Sequence, residues 1–318
     1  MQFFTKIPIS VSANPISYQS KIVSIGSCFA ENMGQKFAFY QFQTTTNPFG
    51  IIFNPVSIEK LIRRAIAKNY FSEKDIFFQN ERWHCFEVHS ELSHTDKIYF
   101  LKNLNEILDS FCQEISTATH LIITLGTSWV YKTIVSDEIV ANCHKIAQNQ
   151  FIKHLLSKAE ISDSLQNIIT LIKAINPKCH FIFTISPVRH LKDGFVENQN
   201  SKANLIAAVY ELVQNQYSDL SYFPSYEIMM DELRDYRFYN EDLVHPNPTA
   251  VNYIWSRFIE THLEKSSFST MQEVETIQKG LQHRAFNPES ISHQKFISDL
   301  NLKIQIIQKK YAFMSFNE

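Results

Sequence analysis

Lys21-Ile22-Val23-Ser24-Ile25-Gly26-Ser27-Cys28-Phe29-Ala30 is the stretch on which the fold turns. Residues 21–25 form a short apolar run that reads as a buried strand. Beyond the turn at Gly26-Ser27-Cys28, the residues Phe29, Met33, Phe37 and Tyr40 recur at i, i+4, i+8 and i+11, one face of a helix. A strand thus passes through a glycine turn directly into a helix. The chain is poor in glycine, with 6 in 318 residues against a usual share of about 7%. Glycine is therefore kept where the backbone needs it. Gly26, Gly50 and Gly126 each follow or end an apolar stretch or a turn.

Residues 120–125 (HLIITL) are a second such run, ending at Gly126, and residues 180–185 (HFIFTI) a third, ending at Ser186-Pro187. Residues 220–223 read as a fourth strand. Helices are expected over about 162–175 and 201–216. Continuous apolar strands alternating with helices predict a mostly parallel sheet covered on both faces, a three-layer α/β/α sandwich. Ligands in such sheets bind beyond the carboxyl ends of the strands. Ser27-Cys28, Thr127-Ser128 and Arg189-His190 directly follow three of those ends.

Composition narrows the function. With 44% hydrophobic and 19% charged residues and a net charge of -2, the chain is an ordinary globular one with no basic stripe, so no nucleic-acid partner is expected. No run of 18 apolar residues exists, so no membrane span is expected. The N-terminal apolar run is too short for a signal peptide, and a cytoplasmic location is expected. The five cysteines, Cys28, Cys85, Cys112, Cys143 and Cys179, are odd in number and scattered, which argues against a disulfide framework. Cys stands beside His at 84–85 and 143–144, but no C-x-x-C or H-x-x-x-H spacing supports a metal site. No cofactor is expected. After about residue 266 the residues Ile297, Leu300, Ile304, Ile307 and Tyr311 form a stripe about two heptads long. It suits a helix packed on its own domain or a homodimer seam.

Three segments carry chemistry. At Gly26-Ser27-Cys28 a helix N-terminus favours negative charge, so a Cys28 thiolate could act as nucleophile, with Ser27 as the neighbouring candidate. In Asn240-Glu241-Asp242-Leu243-Val244-His245-Pro246, the proline keeps the pair Asp242 and His245 in a loop. A carboxylate there fixes one imidazole nitrogen and frees the other as base. Oxyanion donors are sought at the backbone N–H groups of Cys28 and Gly50 and in side chains near Ser128, Asn142 or Asn47. Arg189 and His190 suit an anionic substrate group.

The string Gly26-Ser27-Cys28-Phe29-Ala30 resembles the naming motif of the GSCFA-domain family. Asn47 to Gly50, Trp83-His84-Cys85-Phe86, Leu125 to Tyr131, Ala141 to Lys145, Ser186 to His190 and Asp231 to Pro246 resemble it too, in order. The resemblance covers about residues 1–265, leaving 266–318 as a C-terminal helical extension. That family is grouped with the SGNH hydrolases, which implies a flavodoxin-like sandwich and ester chemistry. SGNH enzymes use a Gly-Asp-Ser turn, a lone Gly, a Gly-x-Asn segment and an Asp-x-x-His loop. Here Ser27 falls at the Asp of the first motif and Cys28 at its Ser, while Ser128 stands where the Asn would be. The implied function is acyl transfer, as an esterase, thioesterase or O-acyltransferase, on a small-molecule or carbohydrate ester. The alternative is a ligand-binding module that kept the fold without the chemistry.

Overall fold

A computed structural model describes residues 4–214 and 219–316. The chain runs β1 (Lys21–Gly26), α1 (Cys28–Phe39), β2 (Gln43–Thr46), α2 (Pro55–Ile66), β3 (Ile76–Gln79), β4 (Arg82–Cys85), α3 (Lys97–Thr117), β5 (His120–Leu125), β6 (Trp129–Thr133), β7 (Ile139–Val140) and β8 (Phe151–Leu155). It continues with α4 (Lys158–Ile175), β9 (His180–Ile185), α5 (Phe195–Gln214), β10 (Leu220–Phe223), the three-residue α6 (Ser225–Glu227), a π-turn over Ile228–Glu232, α7 (Pro248–His262), α8 (Ser267–Leu281) and α9 (Ile291–Lys310).

Five strands pair in the order β10-β9-β5-β1-β2, every neighbour parallel. Alternate residues of each strand point to opposite faces, and both faces are buried. Val23, Ile25, Leu121, Ile123, Phe181 and Phe183 face one core, shared with α2, α3, α4 and α5. Ile22, Ile122, Ile182 and Phe223 face a second, shared with α1, α7, α8 and α9. This is the three-layer α/β/α sandwich that the strand–helix alternation predicts. The strand order reverses between β1 and β5, and open parallel sheets form their ligand crevice at such a reversal, outside the carboxyl ends.

The first helix is held by its aromatic face. Phe29 and Phe37 are fully buried, and Phe37 meets Trp255 edge-on at 5.0 Å and Phe258 at 5.8 Å. The C-terminal stripe packs on its own chain. Leu300 and Ile307 are buried in the second core, with Ile304 and Tyr311 half-buried against it. Helices α8 and α9 approach so closely that a Cβ on Gly280 would lie 2.7 Å from the Leu300 Cδ1.

Two features differ from the sequence expectation. Helix α5 starts at Phe195 rather than 201, directly after Gly194, whose φ of 116° only glycine adopts readily. Its first turn exposes Phe195 and Val196, so no apolar periodicity marks it. Residues 215 and 216 of the expected helix lie outside the described residues. Two small antiparallel sheets, β3-β4 and β7-β6-β8, are inserted between the parallel strands. Their strands have two to five residues, too short for a period-2 signal.

Several imidazoles are buried in the layers. Burial is the main cause that pulls His120, His144 and His262 down to about 4 and His190 down to about 3. In an unfolded chain such groups protonate near about 6.5. Protons taken up below that value therefore go preferentially to the unfolded state. Stability is fully present above about pH 6.5 and is lost as pH falls toward 4. Thermal unfolding followed from pH 7.5 to pH 4.5 should show a Tm that declines steadily; a flat profile would contradict the buried, neutral state of these rings.

Candidate active site

Strand β1 ends at the crevice. Gly26 has φ 152°, and a Cβ on it would lie 2.2 Å from the Thr124 carbonyl oxygen of β5. Its N–H donates to Asn47 Oδ1 at 2.8 Å, and the Ser27 N–H donates to Thr124 O at 3.0 Å. The turn is thereby tied to both neighbouring strands. Ser27 is the N-cap of α1: its hydroxyl accepts the Phe29 N–H at 3.2 Å, and the residue is buried. Cys28, the first residue of the helix, is half-buried and faces the crevice. The two candidates are thus separated by position, with the serine turned inward as a cap and the cysteine turned outward.

The Cys28 thiol sits against the backbone N–H groups of Phe29 and of Cys28 itself. Burial and the Glu31 carboxylate push it up from its ordinary value; the two N–H groups and the Lys202 ammonium oppose them. The balance is upward, so the resting sulfur is a thiol at neutral pH. Reaction as a nucleophile requires a base to take its proton.

The loop before α7 carries such a base. Asp242 Oδ1 accepts the N–H groups of Val244 at 2.9 Å and His245 at 3.0 Å, and Oδ2 lies 2.6 Å from His245 Nδ1. Those backbone donors hold the Asp242 carboxyl down at about 2. An ionised carboxylate can only accept, so Nδ1 carries the hydrogen and Nε2 is left with its lone pair. The turn is sharp: Leu243 has φ 56°. Arg189 closes it, its guanidinium donating to the Leu243 carbonyl and its own N–H to Val244 O at 3.3 Å. The same guanidinium stacks on Tyr239 at 4.6 Å.

Cys28 and His245 line one cavity of about 410 Å³, together with Glu31, Asn32, Asn240 and Asn252. A thiol at a helix N-terminus and a carboxylate-oriented imidazole on one cavity wall are the parts of a nucleophile–base pair. The model of the GSCFA family matches residues 21–258, and that of the GSCFA domain protein, C-terminal domain, matches residues 274–318. The chain belongs to the GSCFA family. No curated protein matches it.

The other residues singled out in the GSCFA chain divide. Asn47 positions the turn, with Oδ1 on the Gly26 N–H and Nδ2 donating to Glu31 Oε1 at 3.4 Å. The Gly50 N–H is committed to the Asn47 carbonyl at 2.8 Å, the hydrogen bond of a tight turn, and so is not a donor for an oxyanion. Ser128 is buried, with its N–H on Ser201 Oγ at 2.7 Å and its hydroxyl on Ser201 O at 3.1 Å. Asn142 accepts the His144 N–H at 2.8 Å in the loop after β7. Gly50 and Asn142 thus serve their own turns and Ser128 is tied to Ser201 on α5, and the Cys28 N–H remains as a backbone donor on the Gly26–Ala30 turn. Arg189 braces the Asp242 loop instead of reaching for an anion. His190 stays with the site: its Nε2 is buried without a partner, its ring lies 5.5 Å from Phe53, and Lys202 and His245 both lower it further beyond burial.

The two paired Cys–His segments lie against each other rather than around a shared metal, although the buried His144 Nδ1 has no partner among the described residues. His84 bonds Ser93 Oγ at 2.6 Å and Gln79 O at 3.0 Å, and His144 bonds Cys85 O at 2.7 Å.

One residue escaped the sequence reading. Lys202 on α5 is 1% exposed, and its ammonium donates to Gly126 O and Ser186 O, both at 2.7 Å. Its signal was present: Asn198, Ser201, Lys202, Leu205, Ala208, Val209 and Leu212 are the buried residues of the helix. A lysine on the inward stripe of a helix is not a solvated one.

Proposed function

We propose that the chain is an acyl-transfer enzyme with Cys28 as nucleophile, His245 as general base and Asp242 as its orienting carboxylate. The cavity shared by Cys28 and the Asp242-bonded His245 carries this reading. The Cys28 Sγ–H gives its proton to His245 Nε2 as the sulfur attacks an ester or thioester carbonyl. The Cys28 N–H lies beside the developing oxyanion, and His190, neutral with its Nε2 free, is the second donor. Collapse expels the alcohol or thiol, which takes the proton from the imidazolium, and leaves an acyl thioester on Cys28. His245 then activates the acceptor. Water makes the reaction a hydrolysis, and a sugar hydroxyl makes it a transfer. Asn32, Gln35, Asn240 and Asn252 line the cavity, and such amides suit a hydroxyl-bearing substrate, a small-molecule or carbohydrate ester.

Five unpaired cysteines suit a reducing cytoplasm. Among the described residues no helix is long and apolar enough to cross a membrane.

Hydrolysis of a series of aryl esters and thioesters by the native chain, Cys28→Ala and Ser27→Ala tests the assignment. Cys28→Ala should lose at least about 10³-fold in kcat/KM, the order seen when a nucleophile of this kind is removed. Ser27→Ala should keep its rate and lose only about 1 kcal/mol of helix-cap stability. An active Cys28→Ala removes the thiol from the mechanism. The binding-module reading is favoured by one observation, the upward-shifted thiol. A native chain inert to every ester, which binds one equally well as Cys28→Ala, would establish it.

A further inference from the structure

The register of the sheet sets three positions side by side at the crevice. Gly26, Thr124 and Thr184 are partners across β1, β5 and β9. Cys28 opens α1 two residues beyond Gly26, while Gly126 and Ser186 lie two residues beyond Thr124 and Thr184 at the adjacent ends of β5 and β9, so all three belong to the crevice end of neighbouring strands about 4.8 Å apart. Lys202 bridges the carbonyls of the second and third of these positions, with its ammonium 5.1 Å from the centre of the Tyr226 ring. A lysine this deeply buried, satisfied only by neutral carbonyls and a ring, is costly to keep charged. A methionine of similar length would fill the space at lower cost. The titratable groups that interact with it are Cys28, His190 and Glu227.

We propose that Lys202 is a positioning residue for Cys28: its clamped ammonium is the positive charge against which the sulfur carries negative charge as it reacts. This rests on Cys28 being the reacting group of the proposed site. Cys28 and Lys202 each favour the charged form of the other. Burial draws Lys202 down to about 7, so its influence on Cys28 is present below neutral pH and fades as the ammonium deprotonates. The titratable groups around the pair are Glu31 on α1, Glu227 on α6, His190 after β9, and His245 on the loop across the cavity. His190, held near 3, is neutral throughout the working range.

The test is the rate of Cys28 alkylation by iodoacetamide from pH 5 to pH 10, read by mass spectrometry of the Cys28 peptide. It needs no substrate, so a failure of the acyl chemistry leaves it readable. It is run in a His245→Ala background, which removes the other neighbouring base. With Lys202 present the profile should have two steps: a rise that levels off near pH 7, then a second rise at higher pH. Lys202→Met should lose the first step and react about tenfold more slowly at pH 6.5, converging with the parent above pH 9. Lys202→Arg, charged at every pH, should keep the fast reaction through pH 9. A single-step profile in the His245→Ala parent overturns the proposal even if neither Lys202 variant folds. So does a folded Lys202→Met whose profile matches the parent, which would leave Lys202 as a clamp alone.

Discussion

His245→Ala is expected to lower kcat by about 10²- to 10⁴-fold, the contribution of a positioned general base. The resting Cys28 is a thiol because burial and Glu31 hold it up, so its attack depends on an acceptor for the proton. His245 Nε2 is that acceptor because Asp242 fixes the hydrogen on Nδ1 across 2.6 Å. Asp242→Asn should be nearly as damaging, up to about 10⁴-fold. Its amide can present N–H to Nδ1 and so favour the tautomer with the hydrogen on Nε2. Both side chains are about half exposed, so thermal unfolding of either variant should stay close to native. The loss should fall on kcat rather than KM, because neither residue is needed to hold the resting substrate. Native activity in Asp242→Asn would show that the carboxylate has no orienting role.

Gly26→Ala should be the most damaging single methyl in the chain. The added Cβ would meet a backbone carbonyl at 2.2 Å, and a backbone atom cannot swing aside as a flexible side chain can. The φ of 152° adds strain of about 1–3 kcal/mol for a residue with a side chain. Relief by shifting β1 from β5 would break the Ser27 N–H to Thr124 O bond and the Gly26 N–H to Asn47 Oδ1 bond. A total loss of about 3–5 kcal/mol is expected, in the range reached only by such specific mechanisms. It should appear as a lower urea midpoint with an unchanged m value. Any folded fraction should also have lost activity, since the same bonds aim Cys28. A midpoint near native would mean that the turn is not the rigid joint between sheet and site.

The fold was legible because its central strands are continuous apolar runs. β5, β9 and β10 have the bounds the sequence suggests, and β1 is longer only by Gly26. A strand buried on both faces is built mostly of apolar residues in an unbroken run. The inserted antiparallel sheets were not legible, because strands such as Arg82–Cys85 are short and mixed in polarity. At the site, the glycine turn and the Asp-x-x-His loop announce themselves through local geometry, and the structure places Cys28 and His245 on one cavity. Hydrogen-bond partners across the chain are not legible in this way. Nothing local tells that Ser201, 73 residues away, occupies the Ser128 hydroxyl and N–H, or that the Gly50 N–H is spent in its own turn. Lys202 is the converse, a charge read by default as solvated because its two carbonyl partners are 76 and 16 residues distant.

The central claim is that the Cys28 sulfur carries the acyl group. Rapid quenching of the chain with an aryl thioester, followed by mass spectrometry of the intact protein and its peptides, tests it most directly. One acyl group should appear on the peptide containing Cys28, build up further in His245→Ala supplied with a highly activated ester, and be absent from Cys28→Ala. An acyl group on Ser27, or turnover with Cys28 never modified, would contradict it.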